Sequence, residues 1–249
     1  MMPYLNSLAS RYGLATNYFA NTHPSLPNYF MLTVGQTVSF QDNFTDTVSV
    51  DNVVRELLAA GKTWKAYAED LPSIGYTGGD SYPYLVHHNP ISFFSDVRNS
   101  SVQRNNLVPF SQFAADLANN ELPNFAFITP DAHDDAHDCP AGMQTCDDNA
   151  KLSAADGWLK SNIGPLLANS AFQTDGLLVI VFDESAFTDL ANGGGHIPMI
   201  VVGPKVRTGF QSTSFYQHQN TLRMVLEAAG ATTFPGAAAT ASDMKEFFQ

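Results

Sequence analysis

Asp183 and Glu184 follow directly on the apolar run Leu177-Leu178-Val179-Ile180-Val181-Phe182. A carboxylate pair at the carboxyl end of a strand offers hard oxygen ligands to a divalent cation, although the same pair would also serve as the acidic start of a helix or turn. A denser group, Asp131-Ala132-His133-Asp134-Asp135-Ala136-His137-Asp138, places six ionisable side chains in eight residues. Such crowding is costly unless a cation or a hydrogen-bond network offsets it; a solvated acidic loop is the alternative. The third group, Asn192-Gly193-Gly194-Gly195-His196, lets the backbone approach something closely and fixes a histidine at the entrance of the next apolar run, or is a flexible turn carrying a stray His. Together these groups offer carboxylate and imidazole ligands suited to one or two divalent metals, whose identity mixed ligands leave open.

Several other chemistries lose their support. The chain has no Gly-x-Ser-x-Gly elbow, no His-Glu-x-x-His, no P-loop and no Gly-x-Gly-x-x-Gly. With 24 Asp and Glu against 12 Lys and Arg, the formal charge of −12 argues against a nucleic-acid backbone as main partner. It fits a cation site, or simply an acidic secreted surface. No stretch reaches the roughly 18 apolar residues of a membrane span, and no signal peptide opens the sequence. Cys139 and Cys146 would close a short loop as a disulfide in an oxidising compartment, or stand as two thiols in cytosol.

The elements that must position these groups follow from periodicity. At 249 residues and 44% hydrophobic content, a single domain over residues 1–249 can bury a sizeable core. The pattern predicts helices over 53–60, 110–119, much of 153–171, and 214–229, with Gly61 and Gly230 as stops. Strands are expected over 63–67, 124–129, 177–182 and 197–202, the last two continuously apolar as in strands covered on both faces. The fold class is therefore α/β: a doubly wound, mainly parallel sheet with helices on both faces and ligands at the strands' carboxyl ends. Residues 71–106, irregular and rich in Gly, Ser, Pro and Tyr, read as a substrate-facing excursion.

These residues resemble a known family, the bacterial and fungal phosphoesterases that include acid phosphatases and phospholipases C, within the alkaline phosphatase superfamily. Ser25-Leu26-Pro27-Asn28-Tyr29 with Leu32-Thr33-Val34-Gly35 is similar to the segment holding the nucleophile. Phe182-Asp183-Glu184-Ser185 resembles the metal segment, Asp135-Ala136-His137 the Asp-x-His element, and Gly194-Gly195-His196-Ile197-Pro198 a later signature in which relatives carry Arg. Tyr216-Gln217-His218-Gln219-Asn220-Thr221-Leu222 resembles the closing helix. The resemblance implies an alkaline-phosphatase-like fold, a secreted or periplasmic location, and hydrolysis of a small-molecule or lipid phosphate ester through a phosphoseryl intermediate.

On that resemblance Ser25 is the nucleophile, and Asp183 and Glu184 hold a divalent metal in contact with it. Asp131, Asp135, His137 and His196 would hold a second cation, or, with a single metal, His137 and His196 would contact phosphate and protonate the leaving group. Asn28 and His88 would bind substrate, and His133 competes with His137. Relatives also begin with a strand ending in a metal ligand ahead of the nucleophile, for which Met1-Met2-Pro3-Tyr4 leaves no room, so an absent strand and ligand are expected. A non-catalytic relative that binds phosphate or metal, and a metal-independent carboxylesterase using Ser25, are the rival readings.

Overall fold

The computed structural model describes all of residues 1–249. The helices are α1 (Pro3–Arg11), α2 (Ser25–Thr33), α3 (Val53–Ala59), α4 (Ser95–Arg98), α5 (Ser101–Arg104), α6 (Ser111–Asn119), α7 (Asp148–Trp158), α8 (Phe172–Asp175) and α9 (His218–Ala228). The strands are β1 (Gly13–Ala15), β2 (Trp64–Ala68), β3 (Leu107–Pro109), β4 (Phe125–Thr129), β5 (Leu178–Val181), β6 (Met199–Val202) and β7 (Gln211–Ser212).

Side-chain caps set several boundaries. Asn52 accepts from the Arg55 N–H at 3.1 Å and starts α3, while Gly61 supplies the positive φ of +71° just beyond its end. Asp147 accepts from the Ala150 N–H at 2.9 Å, so α7 begins earlier than the apolar pattern suggests. Its continuation loosens into a π-helical turn, Leu159–Ile163, and a 3₁₀ turn, Gly164–Ala168, where Pro165 lacks a donor. The last helix starts at His218 rather than 214, because Asn220 Oδ1 takes the Gln217 N–H at 2.9 Å.

The α/β class holds, and the strands sort into two sheets. One has the order β3-β2-β4 and is wholly parallel, with Trp64 opposite Phe125 and Ala68 opposite Thr129. The other has the order β5-β6-β1-β7, with β6 antiparallel to both β5 and β1. A parallel return after β5 would require a crossover element; the connection to β6 contains no helix, and the chain doubles back.

β6 is fully buried, as expected, but all four residues of β5 are only half-buried. Its free edge borders an apolar cavity of about 740 Å³ that β4 also borders. The core accordingly falls into three clusters: one around Phe30, Trp64 and Phe93, one around Tyr67, Phe113 and Trp158, and one around Tyr18, Met199 and Phe247. Residues 71–106 contribute Ile91, Phe93, Phe94 and Val97 to the first cluster, and this packing anchors the turn Val86–His88.

Candidate functional site

Ser25 is the first residue of α2, at the positive end of the helix dipole, and is 5% exposed. Its Oγ donates to Glu184 Oε1 at 3.2 Å, and Glu184 Oε2 lies 2.6 Å from His23 Nδ1. His23 Nε2 faces the Asp189 carbonyl at 3.0 Å, which accepts only, so Nε2 carries a hydrogen. The short His23–Glu184 contact then holds one further proton between imidazole and carboxylate. Burial, followed by the neighbouring charge of Asp183, pushes Glu184 up to about 7. Ser25 thus reaches a carboxylate and not an imidazole, unlike the serine of an esterase triad.

The next turn of α2 brings Tyr29 beneath Ser25. Burial and then the charges of Asp183, Asp135, Glu184 and Asp42 hold the Tyr29 hydroxyl well above its ordinary ionisation range. Asp42 Oδ1 also accepts the Leu26 N–H at 3.0 Å, adding a carboxylate at the start of α2. Among these four acids the ion pairs are Glu184 with His23 and Asp135 with His88; no lysine or arginine pairs with any of them. The Asp183 carbonyl receives His218 Nε2–H at 2.6 Å, whereas its Oδ2 is buried with no hydrogen-bond partner. An unpartnered carboxylate oxygen beside further acids, with no basic side chain to balance them, fits a divalent cation held by oxygen ligands.

A rim of imidazoles stands against this acidic group. His87, His88 and His137 turn ring nitrogens to within 4.8 Å of one another, near enough to hold a cation or to surround an anion. His88 is 4% exposed, stacks on Tyr29 with centroids 5.2 Å apart, and has Nδ1 2.8 Å from Asp135 Oδ2. Burial opposes its protonation, but the Asp135 carboxylate and the charges of Asp183 and Asp42 reverse this, leaving the His88 pKa raised. Burial and the adjacent His88 lower that of His87.

Other sequence-predicted residues fall elsewhere. Asn28 is fully buried, and its amide is used within the 21–24 loop: Oδ1 accepts from Asn21 and Thr22 N–H, and Nδ2 donates to the Thr22 and Pro24 carbonyls. It shapes the loop leading into Ser25 and has no hydrogen-bonding capacity left for a ligand. The His196 ring is exposed, packs on Phe19, and places Nε2 2.9 Å from the Thr16 carbonyl, with no contact to Ser25 or Glu184 among its hydrogen bonds. His133 Nδ1 donates to the Cys139 carbonyl at 2.6 Å, bracing the loop closed by the Cys139–Cys146 disulfide, and it is His137 that joins the imidazole rim. Asp131 groups with Glu69 and Asp134, whose carboxylate oxygens lie within 4.8 Å of one another. Burial pushes Asp131 up to about 6 and raises Glu69 and Asp134, so this second acidic group takes up protons readily.

Asp42 and His23 join the site although the sequence patterns did not single them out, whereas His87 joins it within His87-His88-Asn89-Pro90, a segment that resembles one near the substrate in the family. His23 was the most accessible, two positions before Ser25 within the same segment. Asp42 lies in a polar stretch without periodicity, and only the fold reveals its approach.

On this α/β scaffold a serine at a helix start thus faces one carboxylate and lies beside a second. Residues 1–230 match the Phosphoesterase family, and the chain belongs to it. It is 34% identical over 230 residues to an acid phosphatase of Aspergillus fumigatus, covering 88% of this chain and 48% of that protein. It is 32% identical to a phosphatidylinositol-3-phosphatase of Mycobacterium tuberculosis, covering 90% and 69% respectively. The chain spans about half the length of the fungal and yeast acid phosphatases it matches. In fold it is similar to an alkaline phosphatase superfamily protein from Vibrio parahaemolyticus, with a TM-score of 0.59 at 12% identity over 99% of this chain and 65% of that one.

Proposed function

We propose that this chain hydrolyses phosphate esters through a covalent phosphoseryl intermediate on Ser25, with a divalent metal held by Asp183, Glu184, Asp42 and the Ser25 hydroxyl. The carrying observation is the convergence of Ser25 Oγ on Glu184 beside the buried, unpartnered Asp183 Oδ2. When bound, the metal supplies positive charge that favours the Ser25 alkoxide and offsets the phosphoryl oxygens.

The chain's own residues do the remaining work. Glu184, steadied by His23, receives the Ser25 proton; Oγ then forms a bond to phosphorus as the ester P–O bond breaks. The imidazoles of His87, His88 and His137 surround the phosphoryl oxygens, and one of them gives a proton to the departing alcohol oxygen. Water next attacks phosphorus, the Oγ–P bond breaks, and Ser25 recovers a proton. The names of the acid phosphatase and phosphatidylinositol phosphatase relatives support a phosphomonoester, either a small molecule or a lipid headgroup, over a phospholipase C reaction. The disulfide supports an extracytoplasmic site of action.

The test is p-nitrophenyl phosphate turnover before and after EDTA, with Mg, Mn, Ca or Zn added back. Loss on chelation, restoration by a metal, and loss in Ser25→Ala are expected. Undiminished turnover in Ser25→Ala would remove the covalent mechanism; turnover indifferent to EDTA would remove the metal.

A further inference from the structure

The run Asn192-Gly193-Gly194-Gly195-His196 closes against the loop that leads into Ser25, and its glycines are there for steric reasons. A Cβ on Gly193 would collide with the Asn21 carbonyl, one on Gly194 with the Thr22 carbonyl, and one on Gly195 with Ser185 Oγ. Gly193 and Gly195 also hold φ of +111° and +82°, a region that favours glycine. Main-chain bonds run both ways across this contact. Gly194 N–H donates to the Ala20 carbonyl at 3.1 Å, and Ala20 N–H donates to the Gly195 carbonyl at 3.0 Å.

Asp189 folds the segment that carries these glycines. Its Oδ1 accepts the Ala191 N–H at 3.0 Å and its Oδ2 the His196 N–H at 2.9 Å, so one carboxylate spans the whole run. Those two donors, Ala191 first and His196 second, hold the carboxyl below its ordinary range, and it stays an ionised acceptor. The carbonyl of the same residue receives His23 Nε2–H at 3.0 Å. Phe187, on the same segment, packs its ring on that of His23 with centroids 5.0 Å apart.

We infer that Asp189 is a positioning residue for the Ser25 side of the site: its carboxylate fixes the 185–196 segment, its carbonyl fixes His23, and His23 orients Glu184 toward Ser25. This rests on the roles proposed for Glu184 and Ser25. Two observations distinguish it from the bracing of a surface turn. The braced carboxylate and the carbonyl that meets His23 belong to one residue, so freeing the side chain moves the only hydrogen-bond partner of His23 Nε2. The contacts from the Asp189 carbonyl through His23 and Glu184 to Ser25 Oγ are also unbroken, at 3.0, 2.6 and 3.2 Å. A displacement of about 1 Å fed into such a chain can cost on the order of a hundredfold in rate. The position of His196 gains its part here as well, through a backbone N–H that Asp189 holds and not through the ring.

The experiment uses the full chain with isotope-labelled histidine and reads His23 directly, its resonances assigned by their loss in His23→Gln. Exchange of the His23 Nε2–H proton with solvent should be at least about tenfold faster in Asp189→Ala, and less accelerated in Asp189→Asn, which keeps one acceptor oxygen. In p-nitrophenyl phosphate turnover Asp189→Ala should lower kcat about tenfold with a smaller change in KM, and Asp189→Asn should recover part of the loss. Combining Asp189→Ala with His23→Ala should lower kcat by no more than about twofold beyond His23→Ala alone, because both changes break one chain of contacts. Urea unfolding accompanies each variant, and Asp189→Asn carries the comparison if Asp189→Ala does not fold. Losses that multiply in the double variant would overturn the inference. So would an unaltered Nε2–H exchange rate, or a lowered urea midpoint in the Asp189 variants with the kcat of the folded protein unchanged. The exchange rate requires neither metal nor turnover, so a failure of the covalent mechanism, seen as full activity in Ser25→Ala, is read separately.

Discussion

His23 Nδ1 lies 2.6 Å from Glu184 Oε2, and Oε1 of the same carboxylate accepts from Ser25. One imidazole thus fixes the orientation of the carboxylate that faces Ser25, without hydrogen-bonding to Ser25 itself. Outer partners of this kind are worth about 10- to 100-fold in activity or metal affinity. His23→Ala is accordingly expected to lower kcat for p-nitrophenyl phosphate by about that factor, with a smaller change in KM. His23→Gln, which keeps a donor at a similar reach, should recover part of the loss. Equal kcat in the wild type and His23→Ala would show that Glu184 needs no such support.

The His88–Asp135 pair leads to a binding prediction. Asp135 is the nearest carboxylate favouring a protonated His88, and that imidazole belongs to the rim assigned to the phosphoryl oxygens. Asp135→Asn keeps the shape and removes the charge. Inorganic phosphate, measured as a competitive inhibitor, should bind about tenfold more weakly at pH 7, the discrimination expected for loss of one charge-assisted hydrogen bond. The deficit should shrink at pH 5, where solution protons substitute for the carboxylate's influence. A deficit of the same size at both pH values would assign Asp135 a structural role only.

Much of this was legible in the sequence, for identifiable reasons. The acidic pair Asp183-Glu184 could be placed because a continuous apolar run before it marks a strand end, and Ser25 because its local segment resembles a family's. The helix stops at Gly61 and Gly230 depend on a local conformational demand, which the sequence expresses directly. What the sequence did not disclose depends on pairings distant along the chain. Asp42 approaches α2 only after a loop closes, His87 meets His137 across 50 positions, and the antiparallel return of β6 depends on the missing crossover helix. For His196 and Asn28 the motif fixes where the backbone passes but not which partners the side chain takes. In Asn28 the amide is consumed by the 21–24 loop, and in His196 the ring is taken by the Thr16 carbonyl just past β1.

The disulfide encloses the loop next to the imidazole rim. Cys139 and Cys146 are seven positions apart, and a cross-link over so short a loop contributes about 2–3 kcal/mol by chain-entropy arithmetic. Since His133 donates to the Cys139 carbonyl and the Lys151 ammonium donates to that of His137, loosening this loop should displace His137 before it disturbs Ser25. Mild reduction is therefore expected to raise KM for p-nitrophenyl phosphate more than it lowers kcat, with faster amide exchange confined to residues 133–146. Parallel losses in both constants would instead point to a global loosening.

Acid stability should depend on a pair remote from the site. Asp116, 4% exposed on α6, takes Lys65 Nζ at 2.5 Å and the Tyr67 hydroxyl at 2.6 Å, tying α6 to β2. Burial raises its pKa, but the hydrogen bonds and charge of Lys65 and the Tyr67 hydroxyl outweigh it, and the net shift is downward from the ordinary 3.8. A carboxyl whose folded pKa is depressed stabilises the fold fully above its unfolded pKa and loses that contribution as pH falls through the folded value. The wild type should therefore lose stability below pH 3.8 in part through Asp116. At pH 7 Asp116→Ala, which strands the buried Tyr67 hydroxyl and leaves Lys65 without its partner, should cost about 2–3 kcal/mol in urea unfolding. That gap should narrow as the pH is lowered past 3.8, because the wild type then sheds the interaction the variant already lacks. A gap independent of pH would mean that the site contributes by packing and not by charge.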